Sequence, residues 1–410
     1  MLGGAAACAA ALLVGCRAAP SPTASAAPTA AAVPSPPATA AATAATAETA
    51  TPIPPSPTVA PTPTPAPPPF LFRRGVNIDE WFLRSYFDEQ LDERDFDLMR
   101  QLGFSFVRLP LEPGFFSAEA GLSQDIRLVE PVVDRLASRG LATLLDAHPD
   151  DLSLKPRLMA GEPSAVARYE RFIEGLAARF ATRGARSVAI ELMNEPHDAV
   201  GGWDALQRRF LAAARRGGPD LTVVLTGDDW GSISGLLRLS PVPDPNVAYT
   251  FHFYEPYEFT HQGATWAKPV WRHLSGVPYP GSPERVDRAL RRADELTDPS
   301  LRREVRAELE AYRLGFWDAA RIGREVARAG DWARAAGRLV FCGELGVYRR
   351  GADPADRDQW LRDVRLALEG QGIGWALWEY HRGFGLVDRS PSGPRLVPSM
   401  ATALGLNPPA

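Results

Sequence analysis

Two glutamates each follow a short hydrophobic run, in the position of a carboxylate that acts on a substrate. Glu195 comes after one such run, in the order Asn194-Glu195-Pro196, and Glu344 follows the apolar run 339–343. A buried strand that ends in an acidic side chain delivers it to the carboxyl edge of a sheet, where barrel enzymes hold their catalytic groups. We expect Pro196 to end strand pairing and to hold Glu195 in extended geometry.

A pair of carboxylates facing each other across a cleft is suited to the hydrolysis of glycosidic bonds. In the retaining form the carboxyl groups stand about 5 Å apart; one attacks as nucleophile and the other serves as acid and then as base. Burial and mutual repulsion are expected to raise the pKa of one of them, so that it stays protonated near neutral pH. The two glutamates are 149 positions apart (344 − 195), so the fold must bring them together.

Polar or aromatic side chains also stand at the ends of other predicted strands. They are Arg108, His148, Asn194, His252, Tyr254 and Trp378. We expect Arg108 to keep a nearby nucleophile ionised and Asn194 to bind a sugar hydroxyl. His252 and Tyr254 are expected to orient the carboxylates, and Trp378 offers a flat apolar floor for a sugar ring.

The elements that must position these groups are eight short apolar runs that alternate with amphipathic stretches. The predicted strands are 75–78, 106–109, 141–145, 188–193, 222–226, 247–253, 339–343 and 374–378; helical patterns cover 92–102, 126–139, 164–181, 203–215 and 355–368. This alternation predicts an α/β fold, a (β/α)8 TIM barrel over residues 70–410. A doubly wound open sheet is the alternative, but no glycine-rich phosphate turn follows the first run.

A long insertion is expected after the sixth strand, at residues 255–312. Its aromatic residues include Tyr257, Phe259, Trp266 and Trp271. Loops of this length in a compact domain are usually functional or disordered. We interpret the insertion as a wall of the cleft; a hydrophobic cap without a ligand role is the alternative.

The N-terminal residues have the composition of an export signal followed by a linker. Residues 1–16 are small and apolar and end in Leu13-Val14-Gly15-Cys16, which resembles the lipobox of bacterial lipoproteins and implies lipidation of Cys16. An ordinary signal peptide is the alternative. Residues 17–69 hold 16 of the 39 prolines and two charges, so we expect a disordered Pro/Ala/Thr-rich linker. The protein is then secreted and extracytoplasmic, at the cell surface or in the periplasm, touching the membrane through its lipid anchor only.

Composition argues against two other classes of protein. The net charge is −4, without a dense basic patch, so nucleic acid is not an expected partner. The six histidines lack metal-ligand spacing and the three cysteines form no framework, so we expect no metal site and no disulfide scaffold. Cys342, two residues before Glu344, is expected to be a buried apolar group rather than a reactive thiol.

Taken together, these residues resemble the hallmark positions of glycoside hydrolase family 5, the cellulase family. Arg108 in Val-Arg-Leu-Pro, His148, Asn194-Glu195-Pro196, His252-Phe-Tyr254, Glu344 and Trp378 occur in the family's order, within a stretch of about residues 70–400. The resemblance implies Glu195 as acid/base, Glu344 as nucleophile and the other positions in support.

The resemblance further implies a retaining hydrolase that acts on β-linked polysaccharide without a cofactor. β-1,4-Glucan is the first choice of substrate, with β-mannan and β-1,3-glucan as alternatives. A non-catalytic carbohydrate-binding surface lipoprotein is the alternative from another class.

Overall fold

All eight predicted strands are present, with ends that differ from the predicted ones by at most two residues. The computed structural model describes residues 72–79, 81–83, 91–118, 121–122, 126–149, 153–184, 186–197, 199–200 and 202–407. The strands are β1 (Arg74–Asn77), β2 (Phe106–Leu111), β3 (Ala142–Ala147), β4 (Val188–Glu191), β5 (Thr222–Thr226), β6 (Val247–Phe253), β7 (Leu339–Leu345) and β8 (Gly374–Leu377). The expected signal segment 1–16, with Cys16, and the expected linker 17–69 lie outside the described residues.

The strands form a closed parallel barrel. Each strand pairs with its neighbours in chain order, and β1 pairs with both β2 and β8, through Gly75 opposite Phe106 and opposite Ala376. Closure excludes the open doubly wound sheet and confirms the predicted (β/α)8 architecture.

The five predicted helices are confirmed, and further helices occur between and after the strands. The α-helices are Glu93–Leu102, Pro113–Phe116, Ile126–Ala137, Leu154–Met159, Pro163–Phe180, Trp203–Gly217, Asp228–Gly231, Ile233–Arg238, Tyr257–Thr260, Pro283–Ala293, Pro299–Gly315, Ala319–Ala336, Pro354–Gly370 and Pro398–Ala403. Ala181–Arg183 and Pro269–His273 are 3₁₀ helices, and two hairpins pair Ser117–Ala118 with Gly121–Leu122 and Val387–Ser390 with Gly393–Leu396. Within the described part of the chain, no helix has both the length and the hydropathy to cross a membrane.

The insertion after β6 is largely helical rather than structureless. Its first part holds a single helical turn, Tyr257–Thr260, and its second part forms the helices Pro283–Ala293 and Pro299–Gly315. Asp298 caps the last of these by accepting from the backbone N–H of Ser300 and Leu301. The charged pattern of the sequence in this region is therefore the exposed face of packed helices.

One apolar layer fills the bottom of the barrel. It takes one buried residue from β2 to β8 and one from just before β1: Phe72, Phe106, Leu144, Ala189, Val224, Ala248, Phe341 and Ala376. The rings of Phe72 and Phe341 stack with centroids 4.0 Å apart, and Phe106 meets both edge-on. Gly75 makes room for this packing, since a Cβ there would lie 2.4 Å from the Phe106 ring.

We expect Phe341→Ala to lower the free energy of unfolding by about 3–5 kcal/mol, because it leaves a cavity against Phe72 and Phe106. Urea denaturation at pH 7 measures the change. Leu366→Ala is the matched control; this leucine is 52% exposed, and its truncation should change stability by less than about 0.5 kcal/mol. Equal losses in the two variants would contradict the role given to the layer.

Candidate active site

On β2, β3 and β4, the next residue that points into the barrel after the apolar layer is charged. Side chains alternate between the two faces of a strand, so residues two apart point the same way. The apolar residues that β2, β3 and β4 give to the layer are each followed, two positions on, by a charged residue: Arg108, Asp146 and Glu191. All three are fully buried, so a charged layer sits directly on the apolar one.

A bulge in β7 turns Glu344 toward the same space. The pairing of β6 with β7 shifts register there, so that His252 pairs with Glu344 and Gly343 is skipped. Gly343 faces Thr250 so closely that a Cβ would come 2.6 Å from the threonine hydroxyl. The glycine therefore allows the bulge, and the bulge brings Glu344 into the barrel mouth.

Arg108 lies at the centre and forms ion pairs with three of the surrounding acids. Its Nε donates to Glu191 at 2.8 Å and its Nη1 to Glu344 at 2.6 Å. Its Nη2 lies 3.0 Å from Asp146 and donates to the Asn194 side-chain oxygen at 2.9 Å. Because a guanidinium only donates, these bonds fix which atom each partner presents to it.

Glu344 is held on both of its oxygens. Arg108 binds Oε1, and the Tyr254 hydroxyl donates to Oε2 at 2.8 Å. Burial, reinforced by the charges of nearby acids, raises the pKa of Tyr254 well above its usual value, so the phenol stays a donor. Only 5% of the Glu344 side chain is exposed, so its orientation is set by these bonds.

Glu195 is the more accessible acid, with 26% of its side chain exposed. Its Oε1 lies 3.0 Å from Nδ1 of His252, which is itself buried. The prediction of extended geometry at Glu195 was wrong: its φ is 44°, in the left-handed region that L residues seldom occupy. Pro196 disfavours a right-handed helical conformation before it but leaves this strained alternative open.

The two carboxylates lie close together. One oxygen of Glu195, one of Glu344 and a ring nitrogen of His252 all lie within 4.8 Å of one another. This upper limit on the distance between the two oxygens is compatible with the roughly 5 Å of a retaining pair. Among the described residues these three also form the group with metal-ligand spacing. The imidazole Nδ1 is 3.0 Å and 3.5 Å from the two carboxylates, so its proton occupies the place of a bridging cation.

The charges of the site favour a proton on His252 over a proton on Glu195. Burial alone would lower the pKa of His252, but the charge of Glu344 and the hydrogen bond to Glu195 outweigh it and raise the pKa above 6.5. Burial likewise works to raise the pKa of Glu195, but His252, aided by the charge of Lys155, lowers it to about 2. The expectation of a raised pKa is thus wrong for Glu195, because its neighbour is a cation and not only a second acid.

His148 and Asn194 are linked, and the bonds indicate a neutral histidine. Nδ1 of His148 bonds Asp146 at 2.8 Å, and Nε2 lies 3.1 Å from the Asn194 amide nitrogen. Since the Asn194 oxygen faces Arg108, its NH2 must face Nε2, which therefore accepts. Burial lowers the pKa of His148, but the charge of Asp146 outweighs it and gives a net rise. The Asn194 amide opposes protonation of His148, because a proton on Nε2 would point at the Asn194 NH2 group, which is also a donor.

Aromatic side chains border the carboxylates. Trp378 stacks on His148, with centroids 6.2 Å apart. From the insertion, Tyr257 stacks on Trp271 at 5.6 Å, and the ring of Tyr254 meets His261 edge-on at 5.1 Å. Because Tyr254 also binds Glu344, the insertion borders the site. Two other aromatic residues of the insertion differ: Phe259 is fully buried against Tyr279, and Trp266 meets Tyr348 edge-on.

The Glu195 side of the site contains a stacked pair of rings. His197 stacks on Trp230 with ring centroids 3.7 Å apart. The backbone N–H of Trp230 donates to the Pro196 carbonyl, and Lys155 lies 5.3 Å from its ring centroid. The motif after β4 is thereby tied to the loop after β5.

The structure brings together the eight residues that the sequence predicted: Arg108, His148, Asn194, Glu195, His252, Tyr254, Glu344 and Trp378. It adds Asp146 and Glu191, whose signal was their place two residues beyond an inward apolar residue. Cys342 is fully buried and donates to the Glu344 backbone oxygen at 3.0 Å. Burial raises its pKa well above the usual value, which suits a structural thiol.

Comparison with known proteins places this geometry among the cellulases. A family model described as Cellulase (glycosyl hydrolase family 5) matches residues 73–383. Endoglucanase C of Acetivibrio thermocellus is 24% identical over 348 residues, covering 80% of this chain and 98% of its own length.

Solved structures share the fold. The cellulose synthase subunit Z of Clostridioides difficile matches with a TM-score of 0.66 and 21% identity, over 82% of this chain and 99% of that one. Thermotoga maritima Cel5A with cellobiose matches with a TM-score of 0.64 and 24% identity, and with mannotriose with 0.65 and 23%. Each Cel5A structure covers 81% of this chain and 97% of its own length.

We expect the imidazole of His252 to titrate above 6.5 and its pKa to fall in Glu195→Gln, because the substitution removes the carboxylate that binds Nδ1. Nitrogen NMR of ¹⁵N-labelled histidines measures both values. His381 serves as an internal control: burial lowers its pKa to about 4, and the substitution should leave it there. A wild-type His252 that titrates below 6.5 would show that the proton is not held between the acids.

Proposed function

The chain belongs to glycoside hydrolase family 5, the cellulase family, and we propose that it is a retaining endo-β-1,4-glucanase. The observation that carries the proposal is the pair of carboxylate oxygens, from Glu195 and Glu344, within 4.8 Å of each other at the mouth of the barrel. A protein that only binds sugar has no need of two acids at this distance.

In the proposed first step, Glu344 attacks the anomeric carbon while Glu195 gives a proton to the departing oxygen. Arg108 and Tyr254 hold the nucleophile in a fixed orientation, since both donate to its oxygens. In the second step Glu195 takes a proton from water, and the water displaces Glu344. The carbon is inverted twice and its configuration is retained.

The supporting residues have roles that follow from their contacts. His252 supplies the proton that Glu195 delivers, through the 3.0 Å bond between them. Asn194 is held between Arg108 and His148, which fixes its amide beside the nucleophile for a sugar hydroxyl. Trp378 offers the aromatic face on which a pyranose ring stacks.

For the substrate we propose β-1,4-glucan, because the family relatives are endoglucanases. β-Mannan is a second candidate, since the similar Cel5A fold was solved with mannotriose as well as with cellobiose. β-1,3-Glucan remains the third member of a test panel. We propose that the insertion helps to select among them, because its residues Tyr257 and His261 border Tyr254.

We expect the wild-type protein to release reducing ends from a soluble β-1,4-glucan, with the β-anomer formed first. Glu344→Gln should lower kcat on the order of 10⁴-fold or more, because it removes the nucleophile. Glu195→Gln should lower kcat about 10²- to 10⁴-fold on polysaccharide but far less on aryl glycosides with good leaving groups. Reducing-end assays and proton NMR of the first product measure these effects.

Glu130→Gln is the control, since Glu130 binds Arg179 on the outside of the barrel and should not affect turnover. First formation of the α-anomer would contradict retention. Equal binding by wild type and Glu344→Gln, without reducing ends from glucan, mannan or β-1,3-glucan, would favour the binding-protein alternative.

We also propose that the chain is a secreted lipoprotein, with the lipid on Cys16 and residues 17–69 as a linker. The support is the Leu-Val-Gly-Cys motif and the proline content of the segment after it. We expect the full chain in a bacterial membrane fraction and Cys16→Ser in the soluble fraction, while residues 70–410 keep activity within about twofold. Equal partition of the two full-length forms would refute the anchor.

A further inference from the structure

Glu191 is a fully buried acid for which the proposed reaction has no task. It ends β4, three residues before Asn194, and touches neither carboxylate of the catalytic pair by a hydrogen bond. Its bonds go elsewhere: Oε2 accepts from Arg108 Nε at 2.8 Å, and Oε1 accepts from Arg108 Nη2 at 3.0 Å and from the Thr226 hydroxyl at 3.3 Å.

The two bonds to Arg108 form a planar fork, which fixes the rotation of the guanidinium as well as its position. With Nε and one proton of Nη2 bound to Glu191, Nη1 points at Glu344 and the rest of Nη2 at Asn194. Nη1 also donates to the Asn77 side-chain oxygen at 3.0 Å, but this is a single bond. The fork on the opposite edge of the guanidinium therefore contributes most to the direction of the bonds to Glu344 and Asn194.

Asp146 does not provide this constraint, although it contacts the same guanidinium. It makes one contact, at 3.0 Å to Nη2, and its Oδ2 also accepts from His148. A single contact lets the guanidinium rotate about it, whereas a fork does not.

We propose that Glu191 is a positioning residue, whose ionised carboxylate clamps Arg108 and so aims both the nucleophile Glu344 and Asn194 at the sugar. The inference rests on the proposed function of the site. It assigns to Glu191 an effect on catalysis that acts through Arg108 and requires no contact with substrate.

The charges around Glu191 set the pH behaviour of the clamp. Arg108 and His252 are the cations that face it, and Asp146 is the nearest acid. Burial and Asp146 raise the pKa of Glu191, and Arg108 opposes the rise. Glu344 competes for the same guanidinium through Nη1. Removing the Glu191 charge would therefore take one negative charge away from the surroundings of Glu344.

Glu191→Gln tests the clamp at nearly constant volume. The glutamine oxygen can accept one bond, but its NH2 faces a guanidinium that only donates, so the fork is lost. We expect kcat on soluble β-1,4-glucan to fall about 10- to 100-fold with KM within about twofold. The acid limb of the kcat/KM profile should move to lower pH, because one negative charge opposing the ionised nucleophile is gone.

A second variant and a matched control separate positioning from stability. Thr226→Val removes only the hydroxyl that supports Glu191 and should lower kcat roughly fivefold. Asp95→Asn changes an equally buried acid that binds Tyr380 and Arg389 on the helix Glu93–Leu102, away from the site. It should lower the melting temperature and leave kcat and the pH profile unchanged.

Crystal structures of wild type and Glu191→Gln decide the inference without turnover. We expect the contact of Arg108 Nη1 with Glu344, 2.6 Å in wild type, or that of Nη2 with Asn194, to lengthen beyond 3.5 Å. An unmoved guanidinium, or a lower melting temperature with an unchanged kcat and acid limb, would overturn the inference. A wild type inactive on every glucan and mannan would refute the proposed function, while the structures would still decide the clamp.

Discussion

The structure depends on how one buried cation is neutralised. Arg108 is fully buried, and an unpaired charge in that position would cost far more than a folded domain can supply. Its compensation comes from acids on three other strands, Asp146 on β3, Glu191 on β4 and Glu344 on β7. The strand ends must therefore converge around the guanidinium, and the catalytic acid Glu344 is one of the groups that this convergence places.

That convergence requires a firm support beneath it. The apolar layer with Phe72, Phe106 and Phe341 lies directly beneath the charged layer, and all of its eight residues are buried. In the lower dielectric of this site each bond to Arg108 is stronger than in water, and each unmade bond is more costly. A fixed geometry of carboxylates and guanidinium is the consequence, and preorganised charge of this kind is the usual source of transition-state stabilisation.

The sequence predicted the strands and the residues at their ends, because proline, polar side chains and apolar runs mark where a strand stops. It did not reveal Asp146, which lies inside β3, or Glu191, which is the last residue of β4, because only the pairing of these strands shows that both side chains face Arg108. The bulge that turns Glu344 inward depends on the pairing of β7 with β6, a contact between distant segments. The left-handed conformation of Glu195 likewise follows from tertiary contacts, here the tie between Pro196 and Trp230, rather than from local preference.

His252 and Glu195 have different roles in the proton transfer because their side chains differ in accessibility. His252 has 1% of its side chain exposed and holds the proton, whereas Glu195 has 26% exposed and holds the negative charge. A substrate oxygen can reach only the second of these groups. As the glycosidic bond breaks, the departing oxygen becomes a stronger base than a carboxylate, so the ionised Glu195 can take a proton from Nδ1 along the 3.0 Å bond and pass it on, which leaves Glu195 ionised and His252 neutral. The proton that Glu195 takes from water in the second step then returns to His252. The low pKa of Glu195 is therefore compatible with its acid role, because His252 and Glu195 act together as the proton donor.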